Sequence, residues 1–385
     1  MCQLLGMNCR ALTDFSFSFR GFCRRGGATD IHSHGFGVSI YEGRGLRSFL
    51  DTLPAATSPV AELVQRYPIR TYNMMAHVRY ATQGCVSLEN VHPFSRELWG
   101  IHWCFAHNGE VPKFIHWGDS EDSAPRLGKT RELAYRPIGD TDSEAVFCAI
   151  LNALKAEFDS LPTLPVLHTF LKELTNEIIE GHPEDTIFNF LLGCGQYTLF
   201  AYSWPGRRPG SKVWNGLHYI VREPPFTTAK LVDDDYMIDF AAVTTPKDRV
   251  AVITTKPLTS EEGWTEFKRG ELLMFDNGLP HASPETCESV ELQGRGLFSK
   301  CFGKGCPNSR RVCPNQQLSI ENDDGSNDSV ASTTDTSIFS EASAVSLREC
   351  GVESNETSEK QQHATEPAVV AELNQQQSSP AAVWC

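Results

Sequence analysis

Residues 147–158 read FCAILNALKAEF and residues 167–178 read LHTFLKELTNEI, and these two stretches decide the class of fold. In each stretch, five apolar residues recur at steps of three, one, three and four residues. That spacing places them on one face of an α-helix, so each stretch predicts an amphipathic helix. The apolar positions are Phe147, Ile150, Leu151, Leu154 and Phe158 in the first stretch and Leu167, Phe170, Leu171, Leu174 and Ile178 in the second.

Short β-like runs bounded by turn residues lie on both sides of the helix pair. The runs that predict strands are residues 37–41, 74–80, 101–106, 188–192, 196–202, 241–245 and 250–254. Gly193-Cys194-Gly195 predicts a tight hairpin between two of them, and residues 241–245 and 250–254 predict a second strand pair. Strands and helices do not alternate regularly, which disfavours a doubly wound parallel sheet. The pattern predicts an α+β domain in which each helix packs on a sheet.

The 385-residue chain carries a formal net charge of −14, most of it near the C-terminal end. Residues 321–385 hold twelve acidic and two basic side chains and are rich in Ser, Thr, Asn and Gln, so we expect an acidic disordered tail. Residues 1–285 are expected to form the folded domain, followed by a basic linker over residues 286–320. The folded part shows no excess of basic residues, so nucleic-acid binding is not expected.

The predicted linker contains Cys301, Cys306 and Cys313. Besides an ordinary linker, two interpretations stay open: a zinc site that needs a fourth ligand, or acylated cysteines that attach the chain to an anionic membrane. No run of 18 apolar residues predicts a transmembrane segment, and the first residues do not resemble a secretory signal. The 13 cysteines have no repeating spacing, which favours reduced thiols and a cytoplasmic location.

Cys2 directly follows the initiator Met1. Removal of Met1 leaves a thiol and a free α-amine on one residue, and both groups titrate near neutral pH. This is the arrangement of an N-terminal nucleophile, in which the amine of the chain acts as the general base. The alternative interpretation is an ordinary small buried residue.

Three further segments place polar groups at the ends of predicted elements. Arg79 ends a strand and can hold a carboxylate through two parallel hydrogen bonds, or can pair with a neighbouring acid. Asn108-Gly109 offers an amide and a backbone N–H to an oxyanion, although Asn-Gly is also the favoured two-residue hairpin turn. Asp142 opens the first helix, where it can act in the cap or bind a ligand ammonium group.

In this order the segments resemble the class II glutamine amidotransferases, the N-terminal cysteine branch of the Ntn-hydrolases, and most of all the stand-alone bacterial proteins without a synthase domain. The resemblance runs from Met1 to Asp276. It rests on MCQLLGM at 1–7, SIYEG at 39–43, ENVHPF at 89–94, AHNG at 106–109 and TDSE at 141–144. It implies a four-layer αββα sandwich with two mainly antiparallel sheets.

The resemblance also implies a set of site residues. The nucleophile, the two oxyanion donors and the groups that hold the substrate α-carboxylate and α-ammonium would be Cys2, Asn108, Gly109, Arg79, the backbone near Thr82, and Asp142. The implied reaction is hydrolysis of a γ-glutamyl amide through a thioester, with no metal or cofactor. The ammonia or amine is released or passes to a separate ammonia-accepting subunit. His34 and Phe36 depart from related sequences, which usually have Asp and often Trp there, and this puts local substrate contacts in question.

Two other classes of function compete with this interpretation. A metallohydrolase would draw its ligands from the histidines, namely His32, His34, His77, His102 and His107. The histidine spacing fits no recognised ligand order, and no acidic residue sits beside them in such an order. A non-catalytic interaction protein would act through the tail, but it would have no need for a cysteine directly after Met1.

Overall fold

The computed structural model describes residues 2–115 and 125–286. The predicted acidic tail and the linker cysteines Cys301, Cys306 and Cys313 lie outside these residues. No described helix is both long and apolar enough to cross a membrane.

The described residues form fifteen strands and five α-helices. The strands are β1 Gln3–Asp14, β2 Phe36–Glu42, β3 Gly45–Asp51, β4 Arg70–Val78, β5 Phe94–Leu98, β6 Ile101–Glu110, β7 Ile187–Cys194, β8 Thr198–Trp204, β9 His218–Arg222, β10 Thr228–Lys230, β11 Met237–Asp239, β12 Val250–Thr254, β13 Thr265–Glu266, β14 Glu271–Asp276 and β15 Leu279–His281. The helices are α1 Ser16–Arg24, α2 Pro59–Arg66, α3 Asp142–Glu157, α4 Leu164–Ile179 and α5 Phe240–Val243.

The strands form two large antiparallel sheets. The first has the order β13-β9-β12-β1-β4-β2-β3 and the second has the order β15-β14-β8-β7-β6-β5. β10 and β11 pair separately as a small hairpin. The first strand of the chain is therefore a central strand of its sheet, where it pairs with β12 on one side and β4 on the other.

Three apolar clusters show how the layers stack. One cluster joins α1 and α2 to the first sheet through residues such as Phe19, Val64 and Ile40. Another joins α3 and α4 to the second sheet. The third, which includes Leu4 and Leu191, lies between the two sheets. The predicted four-layer αββα sandwich with two mainly antiparallel sheets is confirmed.

The alternation of side chains along β7 explains why its sequence is apolar throughout. Leu191 packs between the sheets, whereas Phe188, Phe190 and Leu192 pack against the helix layer. Because successive side chains on a strand point to opposite faces, both faces of this strand are buried. The predicted hairpin that joins residues 188–192 to 196–202 is confirmed as the β7–β8 pair.

The predicted helix pair is confirmed as α3 and α4. Thr141 is the N-cap of α3, and its side chain accepts a hydrogen bond from the backbone N–H of Glu144 at 3.4 Å. Phe158 lies just beyond the end of α3, where it contacts Phe170 edge-on. The two stripes pack against the second sheet, as their spacing predicts.

The predicted strand over residues 241–245 is wrong. This segment contains the short helix α5, which begins after Asp239, whose carboxylate accepts a hydrogen bond from the backbone N–H of Ala241 at 3.0 Å. Val243 is 65% exposed, so this apolar run has no sheet face to cover. Residues 250–254 do form a strand, but β12 pairs with β1 and β9 instead.

Candidate active site

The Cys2 thiol lies at the start of β1, beside the end of β4. Gln3 pairs with Val78 across these two strands, so Cys2 lies next to the residues that follow β4. Its Sγ is 3.3 Å from the backbone N of Tyr80 and 3.5 Å from the backbone O of the same residue. Burial raises the pKa of the Cys2 thiol, whereas the Tyr80 hydrogen bond and the charge of Arg79 lower it. The thiol is thus held in a fixed place beside a guanidinium.

Arg79 organises the loop that follows β4. Its guanidinium donates hydrogen bonds to the carbonyl oxygens of Gln83 and Cys85 at 2.9 Å and of Gly84 at 3.4 Å. The side chain is buried, and this burial lowers the pKa of the guanidinium. Within the described residues its recorded hydrogen bonds go to carbonyls and not to a carboxylate. No ion pair joins Arg79 to an acid in residues 2–115 and 125–286, although the nearby charges of Asp140 and Glu89 oppose the lowering of its pKa.

His34 supports the same loop from the other side. Its Nδ1 accepts a hydrogen bond from the backbone N–H of Ala81 at 2.9 Å, and its ring lies 5.1 Å from the ring of Tyr80. The backbone N–H of His34 also donates to the carbonyl of Arg79 at 3.0 Å. The residue that departs from related sequences thus holds the backbone that leads to Thr82.

Asn108 and Gly109 do not form a turn. They lie within β6, where Asn108 pairs with Asn189 and Gly109 with Phe188 of β7. The hairpin alternative is wrong because β7 supplies a partner strand, and this pairing overrides the local turn preference of Asn-Gly. A Cβ at position 109 would lie 1.7 Å from the carbonyl oxygen of Ile187, so only glycine fits there.

The side-chain amide of Asn108 is buried without a hydrogen-bond partner among the described residues. Only 1% of the residue is exposed, and neither its Nδ2 nor its Oδ1 has a partner. A buried amide that makes no hydrogen bond is costly, because it has lost its bonds to water. Its donor is therefore available to a bound group.

Asp142 connects the start of α3 to the end of β6. Its Oδ2 accepts a hydrogen bond from the backbone N–H of Val111 at 2.8 Å, and its Oδ1 accepts one from Ser143 Oγ at 3.3 Å. Ser143 Oγ also lies 2.8 Å from His107 Nδ1. Burial lowers the pKa of His107, against the opposing effect of the Asp142 charge. A carboxylate has about four acceptor positions, so these bonds leave capacity for a ligand ammonium group.

The strand alternation brings these groups to one gap between the sheets. Leu4 packs in the inter-sheet cluster, so Cys2, two residues before it, faces the second sheet. Met75 and Ala106 also belong to that cluster. Arg79 comes four residues after Met75, and Asn108 comes two residues after Ala106, so both side chains point to the same side as the cluster. β1 and β4 contact β6 across the gap. Cys2, Arg79 and Asn108 therefore face the same space from two opposed sheets.

The histidines are not brought together as metal ligands. His34 bonds to Ala81, His107 bonds to Ser143, and the rings of His77 and His92 contact each other at a tilt, with centroids 4.1 Å apart. In the two described stretches of chain, no group of three or more His, Cys, Asp or Glu side chains is placed to hold a metal ion. The geometry thus offers the metallohydrolase interpretation no ligand set there.

A large cavity lies away from these residues. It has a volume of about 1070 Å³ and is lined by parts of α1, α2 and residues 222–250, including Phe17, Arg20, Tyr236 and Phe240. None of the predicted site residues lines it.

Sequence reasoning missed one residue that touches the site. Arg208, in the loop after β8, donates to Thr82 Oγ1 at 2.9 Å and forms an ion pair with Glu110. The residue lies 126 positions from Thr82 in the chain and 98 from Glu110, and no local pattern marks it.

Comparisons with known proteins agree with the fold. Residues 1–295 match a family model described as "Glutamine amidotransferases class-II". The chain is 41% identical over 278 residues to a protein of Haemophilus influenzae and 40% identical over 277 residues to YafJ of Escherichia coli, both named provisionally as glutamine amidotransferases. These matches cover 72% and 71% of this chain and 85% and 97% of the relatives. A crystal structure from Pseudomonas aeruginosa, titled as a predicted glutamine amidotransferase, has 37% identity and a TM-score of 0.53, with 73% of this chain and 100% of that chain covered.

Proposed function

Since the chain belongs to the class II glutamine amidotransferases, we propose that it hydrolyses the side-chain amide of glutamine or of another γ-glutamyl compound. The observation that supports this most directly is the set of Cys2, Arg79 and Asn108, which face one gap from two sheets. The thiol and the unpartnered amide are the two groups that acyl transfer requires.

The proposed nucleophile is the Cys2 thiolate. Removal of Met1 frees the α-amine of Cys2, which accepts the thiol proton directly or through water. The sulfur then attacks the amide carbon, a C–S bond forms, and the C–N bond breaks as the leaving nitrogen takes a proton. Water next attacks the thioester, which releases the γ-carboxylate product and restores the thiol. Burial raises the pKa of the Cys2 thiol, and the charge of Arg79 opposes this rise and so favours the thiolate during these steps.

Asn108 and Gly109 are proposed as the oxyanion hole. The buried Asn108 amide has no other partner among the described residues, so its N–H is free to bond the developing negative charge. In a water-excluded site such a donor contributes about 3–4 kcal/mol to the transition state. The backbone N–H of Gly109 is the proposed second donor, and the close approach of β7 holds it in place.

The proposed substrate contacts are Arg79 and the backbone near Thr82 for the α-carboxylate, and Asp142 for the α-ammonium. A guanidinium has five N–H donors, so Arg79 can hold its loop carbonyls and still donate to a ligand. Asp142 is fixed by Val111 and Ser143, which orients its carboxylate before a ligand arrives. Transfer of the ammonia to a separate synthase subunit would use the same half-reaction and stays a prediction, as does the cytoplasmic location.

The experiment that tests this proposal replaces the sulfur. We expect Cys2→Ala to lose at least about a thousandfold in kcat for L-glutamine or the best γ-glutamyl amide, because the covalent step has no nucleophile. Cys85→Ala is the matched control, since Cys85 is an exposed thiol on the adjacent loop. Circular dichroism checks that both variants are folded. An alanine variant at position 2 that hydrolyses as fast as the parent would refute the mechanism.

Intact-mass measurement of active enzyme tests the role of the amine. We expect the mass of the chain without Met1. Active protein that retains Met1 would show that a group other than the Cys2 amine acts as the base.

A further inference from the structure

Residues 206–215 form a small hairpin between β8 and β9, which we call the latch hairpin. Its neck is closed by two backbone hydrogen bonds, from Gly206 N to Asn215 O at 3.1 Å and from Asn215 N to Gly206 O at 3.0 Å. The Asn189 side chain on β7 donates to Asn215 O at 3.4 Å and to Asn108 O at 3.2 Å. Through Asn189 the neck is therefore connected to Asn108 on β6, the strand that carries the proposed oxyanion hole.

The tip of the latch hairpin reaches the site through Arg208. The guanidinium donates from Nη2 to Thr82 Oγ1 at 2.9 Å and to the carboxylate of Glu110. Its Nε is buried without a partner among the described residues. The neighbouring Arg207 points elsewhere, since its guanidinium lies over the Trp214 ring, within the hairpin, at 5.5 Å.

Arg208 joins two walls of the site. Glu110 lies two residues after Asn108 on β6, so both side chains leave the same face of the strand, about 7 Å apart along it. Thr82 belongs to the loop whose carbonyls at residues 83–85 are held by Arg79. The Arg208 side chain thus ties the loop that is proposed to bind the α-carboxylate to the strand that is proposed to bind the oxyanion.

We propose that Arg208 is a positioning residue that sets the spacing between these two walls and so determines the affinity for the γ-glutamyl substrate. This inference rests on the proposed function. Its physical basis is the charge-assisted bond to Glu110 together with the second bond to Thr82, both donated by Nη2, whose two N–H groups lie in the rigid plane of the guanidinium. Without Arg208, the loop around Thr82 loses its tie to β6 and samples positions that do not fit the substrate.

The expected effect is on binding and not on the chemical step. Arg208 touches Thr82 and Glu110 but none of the proposed reacting groups, so we expect Arg208→Gln to raise KM for L-glutamine about tenfold with kcat changed less than about twofold. The pair is partly solvent-exposed, with 28% of the Arg208 side chain and 33% of the Glu110 side chain exposed, so we also expect the KM of the parent to rise with added salt. Arg207→Gln is the control, because it removes a charge from the same tip without touching the site.

A binding measurement makes the test independent of turnover. In the Cys2→Ala background, titration calorimetry with L-glutamine should give a dissociation constant about tenfold higher for the added Arg208→Gln than for the added Arg207→Gln. Arg208→Lys should recover part of the lost affinity, since lysine keeps the charge but not the rigid plane that aims the two Nη2 N–H groups at Thr82 and Glu110. Glu110→Gln should raise the dissociation constant for L-glutamine as well. The dissociation constant of the double variant Arg208→Gln/Glu110→Gln should be no higher than that of the weaker-binding single variant.

The possible outcomes separate the two proposals. If Arg208→Gln and Arg207→Gln give equal dissociation constants, or if Arg208→Gln lowers kcat and leaves KM and the dissociation constant unchanged, Arg208 does not have this role. If the parent enzyme hydrolyses neither L-glutamine nor any γ-glutamyl amide, the proposed function fails, and the inference about Arg208 fails with it.

Discussion

At position 109 the neighbouring strand leaves no room for a side chain. The Cβ of any other residue would lie 1.7 Å from the carbonyl oxygen of Ile187 and 2.7 Å from His107 Nε2. Backbone cannot move away as the end of a flexible side chain can. A side chain at this position must therefore push β6 and β7 apart, directly beside the Asn108 amide.

Gly109→Ala is expected to reduce both stability and activity. We expect a loss of about 1–3 kcal/mol in the free energy of unfolding from overpacking, and a fall of at least about a hundredfold in kcat as the oxyanion donors shift. Urea unfolding and a glutamine hydrolysis assay measure the two effects.

Gly181→Ala is the control for Gly109→Ala. Gly181 has a φ of +90°, but a Cβ there meets nothing within 4 Å. The Gly181→Ala variant should lose only about 1 kcal/mol in the free energy of unfolding and keep full activity. If the two glycine variants have equal activity, the close approach of β7 to Gly109 is not what keeps the proposed oxyanion donors in position.

At the scale of single residues, most of the candidate site follows from the sequence. Cys2, Arg79 and Asn108 each lie in a short segment that is ambiguous alone, but the order of these segments along the chain is recognisable. Their roles are still proposals, but the structure brings all three to one gap. Arg208 differs because its partners are Thr82 and Glu110, far away in the chain, and its own surroundings in the sequence resemble any polar loop.

At the scale of elements, the junction of β6 with α3 holds the site together. His107 and Ser143 form a hydrogen-bonded pair between the strand and the first turn of the helix, and Ser143 also donates to Asp142. The backbone N–H of Val111 bonds to the same carboxylate. The orientation of Asp142 therefore depends on both elements.

Ser143→Ala tests this junction. The substitution removes one of the two recorded partners of the Asp142 carboxylate and leaves His107 Nδ1 unpaired, so we expect KM for L-glutamine to rise about three- to tenfold with little change in kcat. Ser48→Ala is the control, because within the part of the chain that the structure describes the Ser48 hydroxyl bonds to Ser39 on the β2–β3 pair and to no site residue. Steady-state kinetics on both variants measures the difference. An unchanged KM for Ser143→Ala would mean that Asp142 does not bind the substrate or is held without the hydroxyl.

Two elements show where local patterns mislead. Asn108-Gly109 carries the strongest short hairpin signal, yet it lies inside β6 because β7 pairs with residues 103–110 of that strand. Residues 241–245 look like a strand, yet they overlap α5, which Asp239 caps. For Asn108-Gly109 a distant partner strand decided the outcome, and a window of neighbouring residues contains no information about it. For residues 241–245 the cap at Asp239 outweighed the strand-like composition.

At the scale of the whole molecule, the sandwich encloses titratable groups that water cannot reach. The rings of His77 and His92 are buried, and neither ring nitrogen of His92 has a hydrogen-bond partner among the described residues. Burial lowers the pKa of both histidines well below their ordinary value, and the positive charge of Arg79 acts in the same direction. Both rings are therefore neutral in the folded protein near neutral pH.

This burial predicts how stability depends on pH. A histidine in the unfolded chain has a pKa of about 6.5, so below this pH the unfolded state binds protons that the folded state does not. The contribution of the two neutral histidines to the free energy of unfolding is fully present above about pH 6.5. It is lost as the pH falls from there toward the folded pKa values. The slope should approach about 1.4 kcal/mol per pH unit for each of the two histidines.

Urea unfolding at pH 7.5, 6.5 and 5.5 measures this slope. In His92→Asn the slope of the free energy of unfolding against pH should be smaller by the contribution of one histidine, about 1.4 kcal/mol per pH unit. This holds whatever the effect of the substitution on stability at pH 7.5. Equal slopes for the variant and the parent between pH 6.5 and 5.5 would contradict the prediction, since His92 would then bind its proton equally in both states.

The sequence by itself determined the two amphipathic helices, most of the strands and the segments that carry the candidate chemistry, because each of these depends on residues close together in the chain. It also placed Cys2 at the mature terminus as a proposal that follows from its neighbour Met1. The tertiary structure decided what depends on distant partners: the entry of β1 into the centre of a sheet, the continuation of β6 through Asn108-Gly109, and the contact of Arg208 with Thr82. The physical reason is that strand pairing and side-chain contacts join residues many positions apart, and such pairings are chosen by the packing of the whole sandwich.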